Sequence, residues 1–392
     1  MIHKYAIDDV RIALDVNSGA VHVVDELVYS ILDHYPSKDI DEVIKLFQDK
    51  YAADDIKNAI EEIDYLRENE MLFCEDSYIT DSAFVNRKPV IKALCLHIAH
   101  DCNIRCEYCF ASQGDFKGDR SLMSEEVGKK ALDLLIENSG NRRNLEVDFF
   151  GGEPLLNFEV VKKLVDYGRK REKEANKNFR FTLTTNGVLL NDETIEYINE
   201  NMENVVLSID GRKEINDKMR YTVSGGGTYD IIVPKLKKMV DARKDKSYYV
   251  RGTFTKHNID FANDVLHLAD LGFKNTSVEP VVAEPGQDYE LTEEDLPTVY
   301  KHYEDLAREI IRRENAGEGF NFFHFMIDLN QGPCVIKRLT GCGAGSEYLA
   351  ITPEGDLYPC HQFVGNEKFK IGTVDTGVED RDLGREFADA HV

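Results

Sequence analysis

The 392-residue chain carries 48 Lys and Arg against 72 Asp and Glu, a formal net charge of -24 that opposes binding to a nucleic-acid backbone unless basic residues cluster. They do not: Lys170, Arg171 and Lys173 alternate with Glu172 and Glu174, the pattern of a solvated helix face. A hydrophobic fraction of 42%, no apolar run of bilayer-crossing length and no signal-like succession in Met1-Ile2-His3-Lys4-Tyr5-Ala6 predict a cytoplasmic, non-membrane protein of two or three domains, whose eight cysteines stay reduced.

In residues 9–24 two β-branched runs meet at Asn17-Ser18-Gly19, a hairpin signal because Asn and Gly accept the positive φ of tight turns. Helical periodicity follows at 25–34, 39–50 and 53–69, the last carrying Ile56, Ala59, Ile60, Ile63 and Leu66 on one face, and Met71-Leu72-Phe73 reads as a returning strand. A hairpin with three helices describes a winged-helix-like unit over 1–76. Asp54, Asp55, Glu61, Glu62 and Asp64 disfavour DNA, and a sheet edge that accepts a peptide strand is the better expectation. Residues 77–90 are polar, end near Pro89 and read as a linker.

From 91 onward strands and helices alternate. Strand-like runs occur at 91–99, 145–150, 179–184, 204–209, 248–255 and 276–281, with helical patterns at about 125–138, 158–175, 192–200, 228–242, 261–271 and 292–314. Six β/α units over 91–315 predict an α/β fold with a parallel sheet, a partial (β/α)6 barrel, in which working groups gather where strands end.

The first strand delivers Cys102-Asn103-Ile104-Arg105-Cys106-Glu107-Tyr108-Cys109. Three thiols from one loop can hold a metal centre and leave one coordination position open, as an iron-sulfur cluster does, although spacing alone leaves zinc as the alternative. The second strand ends in Gly151-Gly152-Glu153-Pro154, where glycines permit close backbone approach and Glu153 offers a carboxylate. The third ends in Thr184-Thr185-Asn186-Gly187, the fourth in Ser208-Ile209-Asp210-Gly211, and the fifth carries Arg251, whose guanidinium can pair a carboxylate. Each ending alone is ordinary turn chemistry; their succession is not. Residues 316–392 add Cys334, Cys342 and Cys360, and 349–360 reads as a hairpin presenting Cys360 at its end; Cys74 and Cys95, without companions, read as core.

The Cys-x3-Cys-x2-Cys loop with Tyr108 before its last cysteine, followed by Gly-Gly-Glu-Pro, resembles the radical S-adenosylmethionine enzymes over roughly 91–281. The resemblance implies a 4Fe-4S cluster on Cys102, Cys106 and Cys109 whose open iron chelates S-adenosylmethionine. It further implies Gly151, Gly152 and Glu153 at the methionine amino group, Ser208 and Asp210 at the ribose, Arg251 at the carboxylate, Tyr108 near the adenine, and Thr185 and Asn186 more loosely. The C-terminal part is similar to the start of a SPASM domain, which implies one auxiliary 4Fe-4S cluster on Cys334, Cys342 and Cys360. The dense cysteine run that closes the first auxiliary cluster and builds a second is not encoded before Val392, and a truncated SPASM domain is the expectation. The N-terminal unit resembles a RiPP recognition element. The whole ordering most resembles the thioether-forming maturases of SCIFF peptides, which implies a cysteine-rich precursor peptide bound through its leader and a one-electron donor such as a flavodoxin or ferredoxin. A sulfatase-maturating type that makes formylglycine is the alternative enzyme, and a non-catalytic metal or peptide module the alternative class.

Overall fold

A computed structural model describes residues 1–76, 90–329 and 341–389. They fall into two compact units, one of residues 1–76 with 327–329, the other of 90–326 with 341–389.

In the first unit, β1 (Ile2–Ile7), β2 (Val10–Asp15) and β3 (Val21–Val24) form an antiparallel sheet in that order. The expected hairpin forms because the Asp15 carboxylate accepts from the backbone N–H of Asn17 (2.8 Å) and Ser18 (3.1 Å), while Gly19 takes φ 76°. Strand β1 lies outside the sequence expectation and enters through a turn with Asp8 at φ 52°. Helices α1 (Glu26–Ile31), α2 (Ile40–Phe47) and α3 (Ala53–Glu68) follow, the first two capped by Asp25 and Asp39. Leu27, Ile31, Val43, Ile56, Ile60 and Ile63 bury their apolar faces against Ala13 of the sheet. No strand forms at 71–73: Glu70 and Phe73 both take φ 56°, incompatible with extended backbone, and buried Leu72 anchors a turn instead. The expected linker, except residue 90, lies outside the described residues.

The second unit contains strands β4 (Ala93–Ala99), β5 (Ile104–Cys106), β6 (Asn144–Gly151), β7 (Asn178–Thr185), β8 (Asn204–Ser208), β9 (Arg220–Thr222), β10 (Ser247–Phe254) and β11 (Asn275–Pro280). Between and after them run α4 (Glu125–Asn138), α5 (Phe158–Ala175), α6 (Asp192–Asn201), α7 (Lys213–Met219), α8 (Tyr229–Arg243), α9 (Ala262–Asp270) and α10 (Leu296–Asn315). The six long strands pair in parallel in the order β4, β6, β7, β8, β10, β11, a mixed α/β fold with a parallel sheet as expected. Strand β12 (Asn321–Phe322) adds to β11. The expected C-terminal hairpin forms as β13 (Tyr348–Ile351) and β14 (Asp356–Tyr358), and β13 pairs in parallel with β4, so the hairpin continues the same sheet through β15 (Gly372–Thr373) and β16 (Gly377–Val378). Among the described residues no helix is long and apolar enough to cross a membrane.

Strand alternation divides this sheet into two faces. Leu94, Leu96, Val147, Phe149, Phe181, Leu183, Val205, Leu207 and Val250 turn one way and share a core with the helices. Their neighbours His97, Asp148, Phe150, Thr184, Ser208, Arg251 and Glu279 lie on the other face, and most of them are half-buried rather than sealed. The site is built on this polar face.

Candidate functional site

The cysteine loop leaves β4 and is held at both ends. Its central stretch, β5, pairs antiparallel with β9, with Cys106 opposite Arg220, which fastens the loop to the segment that follows β8. Arg105 Nη1 donates to the carbonyls of Cys102 (2.7 Å) and Ile104 (2.8 Å), and the backbone N–H of Cys102 donates to the Asp101 carboxylate (2.8 Å). Beneath the loop, Gly152 N–H donates to Ala99 O (2.8 Å) and Glu153 N–H to Asp101 O (2.9 Å). A Cβ on Gly151 would stand 2.4 Å from Ala99 O, and one on Gly152 2.1 Å from Asp101 O. The glycine pair therefore admits the backbone of the cysteine loop.

Cys102, Cys106 and Cys109 open onto a cleft of about 270 Å³. Tyr108, Gly151, Gly152, Thr185, Asn186, Ser208, Asp210 and Arg251 line it with them, as do Phe110, Phe150, Thr184, Arg220, Glu279 and His361. Burial pushes the Cys102 thiol up to about 11 and Cys106 to about 12. Both are thiols at neutral pH until a cation favours the thiolate, which couples metal binding to proton release.

Of the expected site residues among those described, Glu153, Cys342 and Cys360 do not line the cleft. Glu153 is 0% exposed, and its carboxylate accepts from Leu155 N (3.0 Å), Thr185 Oγ1 (2.8 Å) and Asn186 N (2.8 Å), tying the ends of β6 and β7 together under the glycines. Burial holds it at about 7. Thr185 is spent on this contact. Asn186 turns to the cysteine loop, with Nδ2 2.8 Å from Asn103 Oδ1 and 3.6 Å from Cys102 Sγ.

Tyr108 and Asp210, expected at adenine and ribose, meet each other: the Tyr108 hydroxyl lies 2.8 Å from both Asp210 oxygens. Burial raises the Asp210 pKa, opposed by Arg220. Arg220 escaped the sequence reading. Its guanidinium, 6% exposed, stands 3.9 Å from Asp210, donates to the Tyr108 hydroxyl (3.1 Å) and to Ser208 O (3.2 Å), and leaves Nε buried without a partner. Arg251, expected at a carboxylate of the ligand, is half-exposed and already paired with Glu279.

On the opposite rim, Gly345 N–H donates to Pro359 O (3.1 Å), which brings the Cys342 loop beside Cys360; Cys334 lies outside the described residues. Next to Cys360, His361 Nδ1 is 2.9 Å from the Tyr348 hydroxyl, and its ring contacts Phe110 (5.4 Å) and Phe150 (5.2 Å). The residue after Cys109 thus touches the residue after Cys360. Cys95 is buried as expected, whereas Cys74 is half-buried.

Among the described residues no three His, Cys, Asp or Glu side chains gather round a single-ion position. Three thiols on one loop, a glycine floor and a buried guanidinium with a free N–H fit a cluster that carries an anionic ligand.

Known proteins agree with this geometry. An uncharacterised protein of Methanocaldococcus jannaschii is 38% identical over 130 residues, 33% of this chain and 42% of that protein, so the match spans less than half of that relative. The cysteine-type anaerobic sulfatase-maturating enzyme of Clostridium novyi is 25% identical over 70% of this chain and 74% of its own length. Among solved structures, Streptococcus suis SuiB bound to its precursor peptide SuiA shares the fold at a TM-score of 0.56 and 17% identity, covering 99% of this chain and 89% of SuiB. Residues 96–269 match the model of the Radical SAM superfamily, and this part of the chain is a radical SAM domain.

Proposed function

We propose that the chain matures a ribosomally made, cysteine-rich precursor peptide by joining a cysteine sulfur to a carbon of the same peptide. One observation carries this reading: the cleft edged by Cys102, Cys106 and Cys109 is closed on its other rim by His361, next to Cys360 of the second cysteine set. A peptide in that cleft lies between the three thiols of the loop and His361, the neighbour of Cys360. A cluster and S-adenosylmethionine bound on the first set supply a radical able to abstract hydrogen. The chain's own residues do the rest. Arg220 Nε is the natural donor to the carboxylate of the bound ligand, a role the sequence assigned to Arg251, while Asp210 and Tyr108 lock the guanidinium in place. Phe110, Phe150 and His361 narrow the mouth and exclude water.

In the first unit, β3 ends the sheet order, and its Val23 is 75% exposed. An edge of this kind can take a leader peptide by strand addition. Similarity to SuiB, a protein solved with a precursor peptide, runs through this unit as well and supports the same reading. The sulfatase-maturating relative supports a second reading, oxidation of a cysteine to formylglycine.

Anaerobic reconstitution with iron and sulfide, then an assay for 5'-deoxyadenosine, tests the enzyme reading; a full cluster with no cleavage refutes it. Mass spectrometry of a panel of cysteine-rich peptides separates the two products. Loss of two hydrogens per crosslink with loss of free thiol supports the thioether, and a formylglycine mass shift overturns it in favour of the second reading.

A further inference from the structure

Both products require the same balance. One hydrogen leaves the peptide carbon as an atom and ends in 5'-deoxyadenosine. The second, the thiol hydrogen, leaves as a proton while one electron passes to a one-electron acceptor of the iron-sulfur class. The new bond, C–S or C=S, forms only if some group takes that proton.

Three carboxylates lie in the cleft region, Glu153 and Asp210 fully buried and Asp148 half-buried, and their hydrogen bonds distinguish them. Glu153 accepts three donors, and Asp210 accepts the Tyr108 hydroxyl and Thr253 N–H (3.1 Å) beside Arg220. The oxygens of both are already taken up by donors within the fold. Asp148 differs. It projects from β6 onto the polar face, two residues before the cleft-lining Phe150, and the hydrogen bond it accepts is a shared one from Thr184 Oγ1, 3.2 Å from Oδ1 and 3.4 Å from Oδ2. Thr184 itself lines the cleft. Its hydroxyl can accept a proton from the cleft while passing its own to Asp148.

We propose that Asp148, acting through the Thr184 hydroxyl, is the proton acceptor of the reaction, an inference that rests on the peptide-oxidising reading above. The groups facing Asp148 suit the task. Cys95 of β4 and Tyr348 of β13 are neutral neighbours raised by burial, and Arg251 of β10 is the nearby cation that favours the carboxylate. Burial outweighs Thr184 and Arg251 and holds Asp148 at about 7, where an acceptor at neutral pH works best.

The test has two arms. With a peptide that the unsubstituted enzyme modifies, Asp148→Asn should keep 5'-deoxyadenosine formation within about threefold and lower product about 100-fold or more, so that cleavage uncouples from product. Asp148→Glu should recover part of the product, and Thr184→Val should uncouple less completely. Unchanged product per 5'-deoxyadenosine in Asp148→Asn, or uncoupling in His361→Gln but not in Asp148→Asn, overturns the assignment. Absence of cleavage in the unsubstituted protein refutes instead the reading on which it rests. The second arm needs no turnover: carbon-13 NMR of carboxyl-labelled aspartate in the resting protein, read by difference against Asp148→Asn, should show a carboxyl titrating near 7 that moves upward in Thr184→Val. Titration in the ordinary carboxylate range overturns the proposal.

Discussion

Replacing Gly152 by alanine tests whether the glycine pair serves the cysteine loop. The added Cβ would meet Asp101 O at 2.1 Å, about 1 Å inside the closest approach a real Cβ makes, with Asp101 C at 2.6 Å and Gly114 Cα at 3.1 Å; all three are backbone atoms. No side chain can swing away, so the loop itself must move. Asp101 precedes Cys102 and is fixed to it by the 2.8 Å bond to its N–H, so the shift is handed on to the first thiol. Overpacking of this kind costs about 1–3 kcal/mol of stability, and a displacement near 1 Å at a reacting centre costs on the order of 100-fold in rate. Gly118→Ala is the control, since its Cβ would meet nothing nearer than Asp115 O at 3.6 Å. Thermal unfolding, iron and sulfide content after reconstitution, and 5'-deoxyadenosine yield should all fall in Gly152→Ala and hold in Gly118→Ala. A Gly152→Ala protein with full iron content and unchanged cleavage would refute the close-approach account.

Arg220→Ala should weaken S-adenosylmethionine binding by about 2–3 kcal/mol, the worth of a buried charge-assisted bond, whereas Arg251→Ala should change it by less than about 1 kcal/mol because Arg251 is half-exposed and paired with Glu279; equilibrium binding to the reconstituted protein decides, and equal losses would return the carboxylate to Arg251. Cys106→Ala should abolish cleavage, while Cys342→Ala should retain some cleavage and lose the crosslink; equal loss in both, read by 5'-deoxyadenosine and peptide mass, contradicts a division of labour between the two cysteine sets. Asp148 has a folded pKa raised to about 7 by burial, so its protonated form favours the fold: its contribution is present below the unfolded value near 4 and is lost as pH rises through 7. Denaturant unfolding at pH 5 and pH 8 should therefore show Asp148→Asn gaining on the unsubstituted protein by on the order of 1–3 kcal/mol between the two, and a gain in the opposite direction would contradict the assigned burial.

The sequence showed most of what positions the site, and its omissions have physical causes. Strand β4 is buried on both faces and reads as a nearly continuous apolar run, whereas β6, β7 and β8 alternate buried with more exposed positions, and β7 and β8 end in polar residues. Arg220 was invisible because its place depends on β9, three residues long, whose pairing with β5 is a long-range contact that no local pattern announces. Glu153 looked like an exposed strand-end carboxylate, yet Pro154 after it begins a short helical turn that Glu153 caps, and the sequence Glu-Pro-Leu-Leu already carried that signal. Asp148 had a legible sign as well: a carboxylate inside an apolar strand costs free energy unless it is paired or used.

The pairing of β13 with β4 joins the C-terminal hairpin to the sheet that carries the cysteine loop. Tyr348 stands opposite Ala93 and Ile351 opposite Leu96, and across the hairpin Tyr358 stands opposite Ala350, so β14 carries the chain back along the sheet to Cys360. Sheet register is quantised, because a slip by one residue would send Leu349 and Ile351 out of the core and Tyr348 into it. The place of the hairpin on the sheet is therefore set by backbone hydrogen bonds and core burial together. Loop conformation alone could not fix it so firmly. The same register places the Tyr348 hydroxyl against His361 and beside Asp148, so the polar face is organised by the C-terminal hairpin as much as by the strands that precede it.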